Sequence, residues 1–355
     1  MTVLVSMKLA DLCFGRPLPW GLGSFGKFRG PAGIGGSVRS GWHAVRGAIL
    51  LFAAIALQGA DVNTFSVVGY DPVNGDWGVA VASRYFSVGA VVPWAEAGVG
   101  AIATQADVNV GYGPRGLELL RQGLSAKEVL AKLQAEDTFP DKGGRQVAII
   151  DGKGNIATYT GPNAPKWAGD RQGKTWSAQG NILVGPQVPE AMGRAFEATD
   201  GELAEKLFAA LKAGDDAGGD SRGKQSASMI VVRKGGGRNI NNDRYLYLNV
   251  DDNPAPLPEL RRLLDMNLGY LYQEKAGRLT SAGKPKEARE AAAKATRYMP
   301  TAQAYFSLGI LDYGLGDKTT AVADFRKAIE LDGTLRQRLR TILDDSEFVR
   351  QVGDK

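Results

Sequence analysis

Long apolar runs with few polar interruptions occupy the first half of the chain after residue 63 and predict buried β-strands. Residues 65–70 and 77–82 are two such runs, and the DPVNGD segment between them contains Pro and Asn-Gly, which favour a tight turn. A third run follows at residues 99–104. Because the runs are continuously apolar instead of alternating, they indicate strands covered on both faces inside a layered α/β core.

Helical spacing replaces these runs in residues 113–137, where Ser125 and Glu128 form a capping box that begins the second of two helices. The same pattern at Thr199 and Glu202 predicts the start of a later helix. The remaining predicted elements are helices over residues 189–198 and 200–213 and strands over residues 146–151, 155–160, 226–232 and 244–250.

Two polar, glycine-rich stretches are interpreted as loops that face a ligand. Residues 161–185 carry Gln179 and Asn181, whose neutral amides could orient an amide substrate, although capping of backbone groups within the loop is an equal alternative. The second stretch, AGDDAGGDSRGKQ, leads into a strand, and both ligand contact and a purely structural turn stay open for it. Its candidate ligand-facing residues are Asp220, Arg222 and Gln225.

The chain becomes alanine-rich and helical from residue 267 onward. Small residues there recur at a constant offset of 33, which is similar to the helical hairpins of tetratricopeptide repeats. Two units are fewer than a free-standing array needs, so we expect them to pack on the main domain or to be covered by residues 335–349. The recurring pairs are Ala276 with Gly309, Gly283 with Gly316, Ala288 with Ala321, and Ala295 with Ala328.

An apolar segment at residues 47–60, GAILLFAAIALQGA, is shorter than the about 20 residues that span a bilayer. Arg39 and Arg46 precede it and small residues end it, as in a secretory signal peptide. We therefore expect residues 1–60 to be a leader that directs export to the periplasm or the medium and leaves no stable membrane anchor after cleavage. A buried or uncleaved anchoring helix is the alternative.

The formal charge of +5 comes from this leader, because residues 1–60 contain six basic side chains and one acidic one. The rest of the chain carries 37 of each sign, so nothing in the charge favours a nucleic-acid partner. The leader also holds the only histidine, His43, and the only cysteine, Cys13. The mature chain therefore offers no imidazole triad, no Cys/His pair and no usual zinc site, and we predict neither a metal nor a cofactor.

A hydrolase without histidine or cysteine needs a Ser or Thr nucleophile and another base. One known arrangement is an N-terminal threonine whose own α-amine accepts the proton. Thr64 begins the first predicted strand and is the candidate nucleophile. Cleavage after Ala60 would leave three residues ahead of Thr64, so its amine becomes free only after further trimming or self-cleavage of the Asn63–Thr64 bond.

The chain resembles the bacterial domain of unknown function 1028 family in six ordered motifs between residue 64 and about residue 264: VAVASRYFSVGAVVPWAEAGVGAIATQA, YGPRGLELLRQG, WAGD, QGNILVG, AGGDSRGKQSAS and VDDNPAPLPEL. The resemblance implies a four-layer αββα sandwich of the N-terminal-nucleophile (Ntn) hydrolase type, in the α/β (α+β) class. We place it at residues 61–265, with a helical repeat domain at residues 266–355. Many relatives carry His at the positions of Asp170 and Asn253, so a histidine-based mechanism is not implied for this chain.

Two functions follow as hypotheses. In the first, the protein is an exported Ntn-type amidohydrolase or peptidase in which Thr64 attacks a small amide or peptide, while Ser83 and Arg84 lower the pKa of the nucleophile. The substrate-binding candidates are Gln105, Gln179, Asn181, Asp220, Arg222 and Gln225. In the second, the protein is a non-catalytic scaffold whose helical repeats hold a peptide or protein partner. Homo-oligomer formation stays open in both.

Overall fold

The computed structural model describes residues 64–353, which form a mixed α+β structure with two antiparallel sheets. The predicted leader and signal peptide lie outside the described residues. The strands in chain order are β1 (Thr64–Asp71), β2 (Asp76–Ser83), β3 (Pro93–Glu96), β4 (Gly100–Ala106), β5 (Arg145–Asp151), β6 (Ile156–Thr160), β7 (Gly169–Gln172), β8 (Trp176–Asn181), β9 (Ser226–Arg233) and β10 (Arg244–Val250). One sheet has the order β10-β9-β2-β1-β8-β7, and the other has the order β3-β4-β5-β6.

Ten α-helices lie within the same described residues. They are α1 (Tyr112–Arg121), α2 (Ala126–Glu136), α3 (Gln187–Ala198), α4 (Leu203–Asp216), α5 (Pro256–Ser281), α6 (Pro285–Tyr298), α7 (Ala302–Gly314), α8 (Lys318–Leu331), α9 (Leu335–Ile342) and α10 (Ser346–Gly353). The helices that were predicted near residues 113–137 correspond to α1 and α2, and the capping box of Ser125 and Glu128 is confirmed at the start of α2. None of these helices is both long and apolar enough to cross a bilayer.

The first two strands form the predicted hairpin at the centre of the six-stranded sheet. They pair from Thr64 with Ser83 to Asp71 with Asp76. Asp71 accepts a hydrogen bond of 2.9 Å from the backbone amide of Val73, and Gly75 closes the turn with a φ of 67°. Every residue of β2 is buried, which confirms strands covered on both faces.

Four layers of secondary structure stack through three buried clusters. Valines 68, 79 and 81 share one cluster with β4 and β5 and hold the two sheets face to face. On the other face of the six-stranded sheet, α4 packs against β1 and β2, and α3 packs against β8 and β7. Gly69 and Gly78 allow this close approach, because a Cβ at either would lie within 3.0 Å of a leucine side chain of α4. Helices α1 and α2 cover the outer face of the four-stranded sheet.

Two sequence-based expectations are wrong. Residues 161–185 are not a loop throughout, since they contain β7 and the fully buried β8. The WSAQGN sequence of β8 has little apolar character, because Ser177, Gln179 and Asn181 are buried polar residues. An apolar run therefore does not mark this strand in the sequence. Thr199 and Glu202 do not form a capping box either. The Thr199 hydroxyl donates to the carbonyl of Ala195 at the end of α3, and Glu202 precedes α4 without capping it.

The C-terminal helices form two helical hairpins, α5/α6 and α7/α8, with equivalent turns. Helix α5 buries Leu260, Leu264 and Leu268 in the main core and then pairs with α6, so the predicted boundary at residue 265 falls inside it. Gly283 and Gly316 adopt left-handed φ values of 72° and 87° at the equivalent turns, before α6 and before α8. Helices α9 and α10 cover the α7/α8 hairpin.

Candidate functional site

A row of four polar residues crosses the six-stranded sheet at one end. Thr64, the first residue of β1, pairs with Ser83 on β2 and with Asn181 on β8. Ser83 in turn pairs with Ser226 on β9. All four are at most 2% exposed, so a buried polar side chain stands at the end of each of these four strands. Buried polar side chains must find hydrogen-bond partners, and this row therefore organises the interior around it.

The two hydroxyl groups in the middle of the row are hydrogen-bonded to each other. Thr64 Oγ1 lies 3.0 Å from Ser83 Oγ, and either oxygen can be the donor. Ser83 Oγ also accepts a hydrogen bond of 3.1 Å from the backbone amide of Tyr85. That second bond fixes Ser83 Oγ in place, so the Thr64 hydroxyl meets a positioned partner. Two hydroxyls alone cannot remove a proton at neutral pH, and the site needs a base from elsewhere.

Amide side chains from both sheets surround the Thr64 backbone. The Gln105 side-chain nitrogen donates to the Thr64 carbonyl at 3.3 Å and to Gln146 Oε1 at 2.8 Å. The Gln146 side chain then donates to the backbone carbonyl of Gly180 at 2.9 Å. Asn181 Nδ2 donates to the same Gln146 oxygen at 3.1 Å. Gln146, the second residue of β5, was not a sequence-based candidate.

Two carbonyl oxygens in this cluster have no partner. Asn181 Oδ1 and Gln179 Oε1 are buried and accept no hydrogen bond from any residue that the structure describes. Leaving a buried acceptor unpaired costs about 1–3 kcal/mol. Asn181 lies directly opposite Thr64 on the neighbouring strand, so one of the two unpaired acceptors belongs to the residue that pairs with Thr64.

Strained backbone follows two of these residues. Ala106 and Ile182 have left-handed φ values of 64° and 51°, and they come directly after Gln105 and Asn181. Residues with a Cβ rarely adopt this conformation, and when they do they concentrate at functional sites. The sequence carries no sign of it, because neither Ala nor Ile favours a positive φ.

The predicted glycine-rich loop is attached to the same end of the sheet. Asp220 accepts a hydrogen bond of 3.1 Å from the backbone amide of Arg84 and pairs with the Arg222 guanidinium at 3.2 Å. The Arg84 guanidinium donates to the Arg222 carbonyl at 2.8 Å. The backbone amide of Gln225 donates to the Ser83 carbonyl at 2.9 Å. These contacts hold the end of β2 and give the loop a structural role at the least.

The structure thus places all nine sequence-predicted residues at one end of the sandwich. They divide into an inner set buried between the sheets, with Thr64 at its centre, and an outer set on the loop beside Arg84. Asp170 and Asn253 have structural contacts: Asp170 accepts from the Thr158 hydroxyl at 3.2 Å, and Asn253 Oδ1 accepts from the amide of Ala255 at 2.8 Å. Within residues 64–353 no group of three or more His, Cys, Asp or Glu side chains is arranged to hold a metal.

Thr64 has no exposed surface in the 355-residue chain. In this chain its nitrogen belongs to the peptide bond with Asn63 and has no basic lone pair. Around the Thr64 hydroxyl, the described residues supply one positioned hydroxyl partner and two unpaired carbonyl acceptors.

An open cleft of about 740 Å³ begins one residue beyond Gln105 and is lined by residues 106–111, 137–140 and 145. Its wall is fixed by an ion pair between Asp137 and Arg145, with 2.9 Å between Oδ2 and Nε, and by the Tyr112 hydroxyl, which donates to Asp137 at 2.8 Å. Burial opposes the charged carboxylate, but hydrogen bonds from Arg145, the Phe139 amide and Tyr112 hold the pKa of Asp137 well below its ordinary value. Burial and the same carboxylate raise the pKa of Tyr112.

Comparison with known proteins places these residues in a family. The model of a family of unknown function, DUF1028, matches residues 64–260. A crystal structure of a Silicibacter pomeroyi protein assigned to the same family is similar at 30% sequence identity and a TM-score of 0.52, over 57% of this chain and 84% of that one. No protein of curated function matches the chain. The family match begins at Thr64 and ends within α5.

Proposed function

The chain belongs to the DUF1028 family, and we propose that it is the precursor of an exported amidohydrolase or peptidase of the Ntn type, with Thr64 as its nucleophile. The observation that carries the proposal is the hydrogen bond of 3.0 Å between Thr64 Oγ1 and Ser83 Oγ at the start of the central strand. The two stacked sheets with helices on both outer faces support an Ntn-type αββα sandwich.

Removal of residues 1–63 is the step that creates the base. The Thr64 nitrogen then becomes a free amine next to its own hydroxyl, and Asn181 Oδ1 is available to accept one of its hydrogens. An amine on the same residue needs no imidazole, which agrees with the absence of histidine after His43. Signal-peptide cleavage followed by trimming, or self-cleavage of the Asn63–Thr64 bond, would produce this terminus.

The Thr64 hydroxyl, its α-amine and one water molecule are enough to hydrolyse an amide bond. Thr64 Oγ1 attacks the substrate carbonyl carbon while the α-amine takes the hydroxyl proton. The tetrahedral oxyanion then collapses, the carbon–nitrogen bond breaks, and the leaving amine takes the proton from the α-ammonium. Water, deprotonated by the same amine, attacks the resulting ester and releases the carboxylic acid and the Thr64 hydroxyl. Ser83 holds the hydroxyl during both steps, and the side-chain amides of Gln179 and Asn181 are the candidates that orient the substrate.

A second candidate function is supported by the burial of Thr64. In the full chain its hydroxyl is fully covered, and most of the surrounding amides are hydrogen-bonded to one another. Such an interior suits a non-catalytic scaffold, with the C-terminal hairpins as the functional part. The offset of 33 and the equivalent left-handed Gly283 and Gly316 support a tetratricopeptide-like repeat that holds a peptide or protein partner.

One experiment separates the two functions. The full-length gene is expressed in a bacterial host that exports it, and the recovered protein is analysed by intact mass and N-terminal sequencing before and after an electrophile that traps N-terminal threonine. The enzyme predicts a chain that begins at Thr64 and gains one adduct there. Thr64→Ser should keep the adduct and Thr64→Ala should lose it. A chain that begins at Asp61 and takes no adduct would contradict the enzyme and leave the scaffold.

A further inference from the structure

A second cavity, of about 660 Å³, lies where the C-terminal helices meet the main sheet. We call it the junction cavity. Its walls come from the β1–β2 turn, the start of α4, the β9–β10 hairpin, α5 and α6. It shares no lining residue with the site around Thr64. Ligand binding in the junction cavity is therefore independent of the proposed hydrolase activity.

The junction cavity concentrates positive charge. Five of the residues that line it are basic and one, Glu202, is acidic. The chain beyond residue 60 has equal numbers of basic and acidic side chains, so this excess is local. Arg233 is neutralised by Asp76 at 2.5 Å, which leaves four other cations at the rim. These are Lys275, Arg278, Lys284 and Lys294.

The rim cations are poorly paired. Lys284 lies 3.3 Å from Glu287 on an exposed surface, where such pairs contribute little. Arg278 is 3.9 Å from Glu274, whose other oxygen binds Arg238 at 2.6 Å, so Arg278 is free to turn towards the cavity. Lys275 and Lys294 form no ion pair with any residue of the described part of the chain.

Two of these ammonium groups lie close to the same tyrosine ring. Lys294 Nζ lies 5.1 Å from the centre of the Tyr272 ring and 3.4 Å from its hydroxyl, and Lys275 Nζ lies 6.0 Å from the same ring. Because both ammonium groups lie near one ring, a multiply charged anion could interact with both of them. Tyr272 itself is 6% exposed and stacks on Tyr298, so the ring that both lysines contact is held in place.

The one acidic group of the cavity does not cancel this charge. The Glu202 carboxylate lies at the inner end, where the hydroxyls of Tyr245 and Tyr272 both donate to it. Burial raises the pKa of Glu202 above its ordinary value, while Tyr245, Arg233 and Lys294 act in the opposite direction. The Glu202 carboxylate therefore offsets only part of the positive charge of the five basic lining residues.

We propose that the junction cavity binds a small molecule that carries a diphosphate or polyphosphate group. Ammonium groups supply point charges for phosphate oxygens, and the Arg278 guanidinium supplies a planar pair of donors. A single orthophosphate is far smaller than the cavity, which favours a larger, multiply charged ligand. Because the walls belong both to the main sheet and to α5 and α6, the bound ligand would also stabilise the contact between them.

The test uses the full chain and inorganic pyrophosphate as the probe, with orthophosphate and citrate for comparison. Calorimetric titration should show pyrophosphate binding more tightly than either, and the melting temperature should rise with pyrophosphate concentration. The double variant Lys275→Gln with Lys294→Gln should weaken pyrophosphate binding by at least about tenfold. It should leave the melting temperature without ligand unchanged, because both side chains are exposed.

The matched control is Lys127→Gln with Lys286→Gln, which removes the same charge from exposed lysines outside the cavity. It should bind pyrophosphate as the unaltered protein does. Equal weakening in the two double variants would overturn the proposal in favour of non-specific attraction. Citrate binding as tightly as pyrophosphate would overturn the phosphate class, and no measurable binding of pyrophosphate would overturn the site itself.

Discussion

Gln105 and Gln146 lie opposite each other on β4 and β5, and the Gln105 amide donates a hydrogen bond of 2.8 Å to the Gln146 side-chain oxygen. The side-chain nitrogens of the same two residues also donate to the six-stranded sheet: Gln105 donates to the backbone carbonyl of Thr64, and Gln146 donates to that of Gly180. An apolar contact would hold the sheets together equally well but would not fix their relative position. The glutamine pair therefore sets where Thr64 lies between the layers.

Gln146→Leu tests this positioning. Leucine has a similar volume but removes one acceptor and two donors, so the Gln105 and Asn181 amides and the Gly180 carbonyl lose a partner inside the core. We expect the free energy of unfolding to fall by about 3 kcal/mol, measured by urea denaturation. The control is Gln172→Leu on the exposed β7, which should change it by less than about 0.5 kcal/mol. Equal effects would contradict the interpretation.

Ser83→Ala tests the hydroxyl pair. The substitution removes the only side-chain partner shown for Thr64 Oγ1 within the described residues and leaves the Tyr85 amide without its acceptor. In protein that begins at Thr64, we expect the rate of Thr64 modification by a threonine-directed electrophile to fall by about 100-fold, with the terminus unchanged. Intact-mass time courses give this rate.

The matched control for Ser83 is Ser177→Ala on β8. Ser177 is equally buried, yet its hydroxyl has no hydrogen-bond partner in the described part of the chain. Its removal should leave the rate of Thr64 modification unchanged and should not destabilise the protein. A rate that falls as much in Ser177→Ala as in Ser83→Ala would show that the effect is general loosening of the interior.

Asp137→Asn tests the wall of the cleft beside Gln105. The change leaves Arg145 charged and buried, and we expect a loss of about 3 kcal/mol in the free energy of unfolding. The neighbouring Glu136→Gln breaks an exposed pair with Arg115 and should cost no more than about 1 kcal/mol. Urea denaturation of both variants at neutral pH makes the comparison. Similar losses would mean that the buried pair is no more important than the exposed one.

The same pair also gives a pH dependence. The pKa of Asp137 is lower in the folded chain than in the unfolded chain, so the unfolded state binds a proton first as the pH falls. The contribution of Asp137 is fully present above the ordinary Asp pKa of about 3.9 and is lost below it. The unaltered protein should therefore lose stability steeply below about pH 4, and Asp137→Asn should show a shallower loss in that range.

The sequence predicts most of the fold but only the outline of the site. Continuous apolar runs are enough to recognise β1 and β2, and their ends then place Thr64 and Ser83 together. β8 could not be recognised, because the acceptors for the Gln179 and Asn181 side-chain nitrogens come from the other sheet and no local pattern records them. Gln146 and the Asp137–Arg145 pair were missed for the same reason, since their roles depend on how two layers meet.

The buried Asp312 on α7 and the half-buried Asp324 on α8 form a carboxyl pair, and we expect this pair to make the helical region sensitive to pH. Arg289 donates to Asp312 Oδ1 at 2.8 Å, while Asp312 Oδ2 and Asp324 Oδ2 are buried without a partner in residues 64–353. Burial, followed by the neighbouring Asp312 carboxyl, raises the pKa of Asp324 to about 7. An unfolded Asp titrates near about 3.9, so between these values the folded chain holds the extra proton.

The contribution of Asp324 to the free energy of unfolding must therefore fall as the pH rises from about 4 to about 7, since its carboxyl loses the proton less readily in the folded state. Asp324→Asn should flatten this dependence and raise the free energy of unfolding at pH 8 by on the order of 1 kcal/mol, a value reduced because Asp324 is partly exposed. Urea denaturation from pH 5 to pH 8 gives the profile. Asp344→Asn, at an exposed position, should keep the unaltered profile. The same profile in Asp324→Asn and in the unaltered chain would exclude the raised pKa of Asp324.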